Sequence, residues 1–160
     1  MTASPLELEN PHKGNPVVTA GMPLENARAA MVMIHGRGAS AHDILSMVPA
    51  LDVAGFAFLA PQASANTWYP YSFLSPVANN EPGISSGLAV IANVIASIGA
   101  AGIPLKKTLL LGFSQGACLS LEFAARNAAR YGGIACLSGG LIGPDGTPRN
   151  YPGSFEGTPV

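Results

Sequence analysis

The sequence predicts a single α/β domain over residues 1–160, with a mostly parallel sheet and helices on both faces. Two observations carry this. Short apolar runs alternate along the chain with stretches of helical periodicity, the pattern of strand–helix–strand units whose strands run parallel. One run, Ala29-Ala30-Met31-Val32-Met33-Ile34, is apolar at every position, as a strand covered on both faces must be. Size agrees: 160 residues fit one domain, and an apolar content of 48% is enough for a core and excludes a disordered chain.

The elements follow in order. Val17-Val18-Thr19 is a candidate extra strand near the start. After the run at 29–34, Ser40 opens a helix, with Asp43 as its capping-box partner. Residues 56–60 form the next strand, stopped by Pro61. Residues 62–80 have no regular period. Residues 82–105 carry no charge, and Leu88, Ile91, Val94, Ile95 and Ile98 recur at helical spacing opposite small residues, so this stretch is expected to pack on the sheet as a helix rather than to span a membrane. Thr108-Leu109-Leu110-Leu111 is a third strand. Residues 115–130 form the following helix, with Leu119, Leu121, Phe123 and Ala124 as its packing side, and residues 133–138 form a fourth strand. The tail is a Gly- and Pro-rich loop in which Thr158-Pro159-Val160 reads as the start of another strand. No repeat or domain linker is present in the sequence.

Charge excludes several functions. Lys and Arg total 8 against 9 for Asp and Glu, which leaves no basic stripe for nucleic acid or for an anionic membrane surface. Charged residues are 11% of the chain, thin enough to favour covered faces or a homo-oligomer. Cys118 and Cys136 cannot build a disulfide framework or a zinc site, and both read as packed small hydrophobes. Residues 1–16 have no apolar stretch of the kind a secretory signal needs, so a cytoplasmic protein is expected.

The strongest chemical signal is Gly112-Phe113-Ser114-Gln115-Gly116, a G-x-S-x-G between a strand and a helix. That setting is what a nucleophile elbow requires: a turn sharp enough to strain the serine backbone, small residues two positions away on each side, and a helix N-terminus that favours developing negative charge. Ser114 is the expected nucleophile. His35-Gly36-Arg37-Gly38 follows the first strong strand, where an HG-containing loop supplies the second oxyanion donor in hydrolases built this way. The backbone N–H groups of Arg37 and Gln115 are therefore the expected oxyanion hole. The same loop also matches G-x-G-x-x-A, a dinucleotide fingerprint, but the next strand ends Leu59-Ala60-Pro61-Gln62 without the acidic residue that holds a ribose. Trp68, Tyr69, Tyr71 and Phe73 gather four aromatics in one irregular stretch. They are candidates for a substrate-pocket wall or, equally, for a loop pinned to the core.

These residues resemble the phospholipase/carboxylesterase family of α/β-hydrolases, which includes the acyl-protein thioesterases. The resemblance rests on Met33-Ile34-His35-Gly36-Arg37-Gly38, on Ala60-Pro61-Gln62 followed by Trp68, on Leu111-Gly112-Phe113-Ser114-Gln115-Gly116-Ala117, and on Leu137-Ser138-Gly139. It spans residues 31–160. It implies an α/β-hydrolase fold and a serine hydrolase that cleaves small-molecule esters or thioesters, with no cofactor and no metal. Arg37 stands where the thioesterase branch commonly has an apolar residue, which disfavours a long lipidated-protein substrate.

A hydrolase of this kind needs an acid and a histidine after the serine. His12, His35 and His42 all precede Ser114. Asp145 and Glu156 match no family acid position, and Glu122 reads as a solvated helix-face residue. The chain thus resembles the family's N-terminal three-quarters, a C-terminally incomplete fold. A fragment, a natural truncation, or a base donated by another protomer would each account for it; the unpaired sheet edge a truncation exposes favours the fragment.

Overall fold

The computed structural model describes residues 9–160. The first eight residues of the stretch expected to lack a secretory signal lie outside the described residues. Strands β1 (Val17–Gly21), β2 (Ala29–Ile34), β3 (Phe56–Pro61), β4 (Thr108–Phe113) and β5 (Gly133–Leu137) form one sheet in the order β1-β3-β2-β4-β5. β2, β3, β4 and β5 pair in parallel, and β1 runs antiparallel on β3 at the edge. Its alternating half-buried and exposed residues suit that edge position, while all six residues of β2 are buried.

The expected helix after Ser40 is two short pieces, α1 (Ala41–Leu45) and α2 (Val48–Leu51). The capping box is present: Ser40 accepts from the Asp43 amide and the Asp43 carboxylate accepts from the Ser40 amide. Pro49 lies in the first turn of α2, where a missing N–H costs least, and Asp52 ends α2 in the left-handed region. The charge-free stretch is α3 (Gly83–Ala100), and the helix after Ser114 is α4 (Gln115–Arg126), four residues shorter than its expected span.

Helices cover both faces. On one face, Ile84, Ile91, Val94 and Ile98 of α3 and Leu119, Phe123 and Ala124 of α4 pack with Val32, Leu59 and Leu110 of the sheet. α3 is long and apolar enough to cross a membrane by length and composition, and its apolar side is taken up by this core. Gly87 lets α3 approach closely, because a Cβ there would press on the Leu119 side chain and the Trp68 ring. On the other face, Ala41, Ile44 and Leu45 pack with Met31, Met33, Phe58 and Leu111. That cover stops short of the β4–β5 end, where paired Phe113 and Leu137 are 47% and 39% exposed.

After β5 no regular element forms. Thr158-Pro159-Val160, expected to begin a strand, makes one backbone bond along β5, in which the Ile134 amide donates to the Pro159 carbonyl at 2.9 Å. Proline donates no return bond, which limits strand pairing there.

Candidate active site

The crevice of an open α/β sheet forms at the carboxyl ends of adjacent strands whose following helices leave toward opposite faces. Here those strands are β2 and β4. The chain leaving β2 enters α1 on one face; the chain leaving β4 enters α4 on the other.

Ser114 occupies the β4–α4 turn with φ 53° and ψ −116°, a conformation L-residues rarely adopt. Surrounding bonds hold it there. Its amide donates to the Leu137 carbonyl at 2.8 Å, and its carbonyl accepts from the Cys118 amide at 3.0 Å. Both flanking glycines are sterically required: a Cβ on Gly112 would overlap the Gly116 backbone, and one on Gly116 would overlap the Ile34 carbonyl. The result is an exposed serine at the N-terminus of a twelve-residue helix.

The loop after β2 lies against this turn. A Cβ on Gly36 would sit 3.2 Å from the Phe113 carbonyl oxygen and 3.4 Å from Ser114 Cβ. Among the described residues, the backbone N–H groups of Arg37 and Gln115 donate to no protein acceptor, although the neighbouring Gly38 and Ala39 amides are engaged.

The side chains of those same two residues reach elsewhere. The Arg37 guanidinium donates to Thr67 Oγ1 (3.1 Å), the Pro70 carbonyl (2.8 Å) and the Tyr71 carbonyl (2.7 Å). Buried Gln115 accepts from the Trp68 amide at 2.8 Å and donates to the Tyr69 carbonyl at 2.8 Å. Gln62, which stands where a dinucleotide fold would want an acid, instead accepts from the Ala41 amide and so caps α1.

The four aromatics divide. Trp68 and Tyr69 are buried, at 0% and 2% exposure, whereas Tyr71 is 58% exposed and Phe73 half-buried. Trp68 is a core pillar and offers no surface to a ligand, because its indole N–H donates to the His35 carbonyl and its ring packs between His12 and His35.

Both of those histidines are locked. His35 Nε2 accepts from the Ala63 amide at 3.1 Å, so the proton sits on Nδ1 and is donated to the Gly36 carbonyl at 2.8 Å. His12 Nδ1 accepts from the Ser64 amide, and its Nε2–H donates to the Trp68 carbonyl. Burial holds both pKa values below the ordinary histidine range against the opposing pull of those backbone carbonyls. Neither ring has a nitrogen free to take a proton from Ser114. His42 is exposed on α1.

The match to known proteins is decisive for the family. The phospholipase/carboxylesterase family model matches residues 15–159. A phospholipase/carboxylesterase from Dyadobacter fermentans is 48% identical, with a TM-score of 0.89 over 92% of this chain and 70% of that one. This chain belongs to the phospholipase/carboxylesterase family. Its fold is that of the α/β-hydrolases. Esterase PE8 (23% identical, TM-score 0.64, 80% of this chain and 64% of that one) has the same fold. So does acyl-protein thioesterase 2 of Zea mays (20%, TM-score 0.56, 71% and 52%). The chain spans less than two thirds of those last two proteins.

Within the family frame, one expectation is corrected. Glu122 is fully buried on α4 and is no solvated face residue. Its carboxylate accepts from Arg126 Nε and the Ile142 amide, each at 2.9 Å, and from the Tyr151 hydroxyl; Arg149 lies 3.6 Å away. It ties the irregular tail to the core. Periodicity could have raised it, since Glu122 falls one turn from buried Cys118 and beside Leu119 and Phe123. Asn80 carries no signal in the sequence; its buried amide accepts from the Tyr71 N–H and donates to the Ser72 carbonyl, fixing the aromatic stretch from its far side. Cys118 is buried as expected, and burial pushes the half-buried Cys136 thiol up to about 11, so it carries no thiolate at neutral pH.

Proposed function

We propose that the chain is the nucleophile-bearing part of a serine carboxylesterase that hydrolyses short- to medium-chain carboxylic esters of small molecules through an acyl-enzyme on Ser114. The observation that carries the reading is Ser114 held at positive φ on the β4–α4 turn beside two backbone N–H groups, those of Arg37 and Gln115, that donate to no acceptor among the described residues. Ser114 Oγ attacks the ester carbonyl and its proton passes to a base. The carbonyl oxygen, now an anion, is received by the two amides, and the alcohol leaves with a proton returned by the base. Water then releases the acid by the same route. Tyr71 and Phe73 supply apolar surface for the acyl chain. On this fold the acid and the histidine follow the serine in the chain, and His12 and His35 are engaged on both nitrogens, so neither is that base. Cytoplasmic location and homo-oligomerisation belong to the same reading, on composition alone.

The second reading is an inert hydrolase scaffold serving as a binding domain, since a fold by itself does not carry an activity. One experiment separates the two. A fluorophosphonate is expected to add one phosphonyl mass to a chain extended with the C-terminal portion of the Dyadobacter protein, and none to its Ser114→Ala variant. An unchanged intact mass in the extended chain would favour the scaffold.

A further inference from the structure

We infer that the side chains of Arg37 and Gln115 are positioning residues that hold residues 67–73 as the acyl-binding wall, so that this wall and the oxyanion donors form one mechanical unit. The inference rests on the esterase reading of Ser114 and deepens it.

Between them the two side chains bond five polar groups of the segment: Thr67 Oγ1, the Trp68 amide, and the carbonyls of Tyr69, Pro70 and Tyr71. Adjacent Gly38 adds a bond from its amide to the Asn66 carbonyl at 2.7 Å. The segment is irregular and pairs with no strand, so these bonds stand in for a ladder. Arg37 faces no carboxylate among the described residues; its charge is directed onto three neutral oxygens, where charged donors bond more strongly than neutral ones. Beyond the clamp the chain continues to Phe73, whose carbonyl accepts from the Gly143 amide and whose ring edge lies 3.3 Å from a Cβ placed on Gly140. Gly140 in turn bonds Cys118, one helical turn below Ser114. Tyr71 is thereby tied through Arg37 to the loop after β2, and Phe73 through Gly140 and Cys118 to the first turn of α4. A guanidinium has the reach and the fork of donors to span three acceptors; a lysine ammonium covers only part of that set.

Trp68 is the chain's one tryptophan and lies inside the clamp, so its emission reports on the wall without any turnover. The test is a titration of the folded protein with octanoate and with acetate, the acid products of a longer and a shorter ester, followed by Trp68 fluorescence. Octanoate is expected to bind more tightly than acetate. The octanoate-to-acetate preference is expected to fall about fivefold or more in Arg37→Ala and in Gln115→Ala, with partial recovery in Arg37→Lys. Loss of fold stability alone would weaken both ligands together and leave the ratio standing. Should Arg37→Ala fail to fold by circular dichroism, Arg37→Lys and Thr67→Val carry the same comparison. An unchanged ratio in the folded variants, or no octanoate response in the parent, overturns the inference. Fluorophosphonate labelling of the extended chain, run alongside, keeps the two readings apart: octanoate discrimination without labelling there removes the nucleophile and keeps the wall, and labelling without discrimination does the reverse.

Discussion

At Ser114 the backbone, with φ 53°, stores strain of about 1–3 kcal/mol that only the surrounding packing can hold. Two other residues show how polar groups are made safe inside this chain. His12 and His35 are buried and neutral, each with a carbonyl on one nitrogen and an amide on the other. Their lowered folded pKa values mean that below about pH 6.5 the unfolded chain binds protons the folded chain refuses. Stability from this source is therefore complete above that pH and is lost as pH falls toward the folded pKa values. The melting temperature is expected to drop between pH 7.5 and pH 5.5, and a flat profile in that window would contradict the locked tautomers. Glu122 makes the opposite bargain, a charge kept buried by two arginines, a hydroxyl and an amide. Glu122→Ala is expected to cost about 1–3 kcal/mol by urea denaturation, since it leaves the buried Ile142 amide without an acceptor and Arg126 without its partner. Equal midpoints for the variant and the parent would show the anchor to be idle.

Among the elements, those defined by period and punctuation were legible. β2 reads from an unbroken apolar run, α3 from its spacing of isoleucines, and the start of α1 from Ser40 and Asp43. The single helix expected after Ser40 is instead two because Pro49 cannot donate within a continuing helix and is accommodated by a new first turn. Nothing in local spacing signals the side-chain clamp on residues 67–71, whose partners lie thirty or more positions away. The elbow is where an element-scale prediction is sharpest. Gly116→Ala drives a methyl into the Ile34 carbonyl and must part α4 from β2. A loss of roughly 1–3 kcal/mol or more is expected, together with loss of labelling at Ser114. An alanine variant that matches the parent in both would mean that the turn tolerates a looser geometry.

For the whole molecule, the sheet is covered on both sides near β2 and β3 and is bare on one side at Phe113 and Leu137. The Dyadobacter relative is longer, with this chain matching 70% of it. By analogy with deletion of a triad base, residues 1–160 alone are expected to turn over p-nitrophenyl butyrate about 10⁶-fold more slowly than the extended chain, leaving roughly 10³–10⁴ over water. Comparable rates for the two chains would place a working base within these residues.

By itself the sequence determined the alternation of strands and helices, the glycine-flanked serine between β4 and α4, and the places of His12, His35 and His42 ahead of it. Each of these is a local property, written in side-chain period, in turn chemistry or in plain order along the chain. Only the tertiary structure decided that Trp68 is a pillar, that His12 and His35 have no proton-accepting nitrogen to spare, that Glu122 is a buried anchor, and that Arg37 and Gln115 turn their side chains onto one loop. Those outcomes depend on which donor meets which acceptor once distant segments are packed. A buried polar group takes the partner that the fold brings within about 3 Å, and no spacing in the chain names that partner in advance.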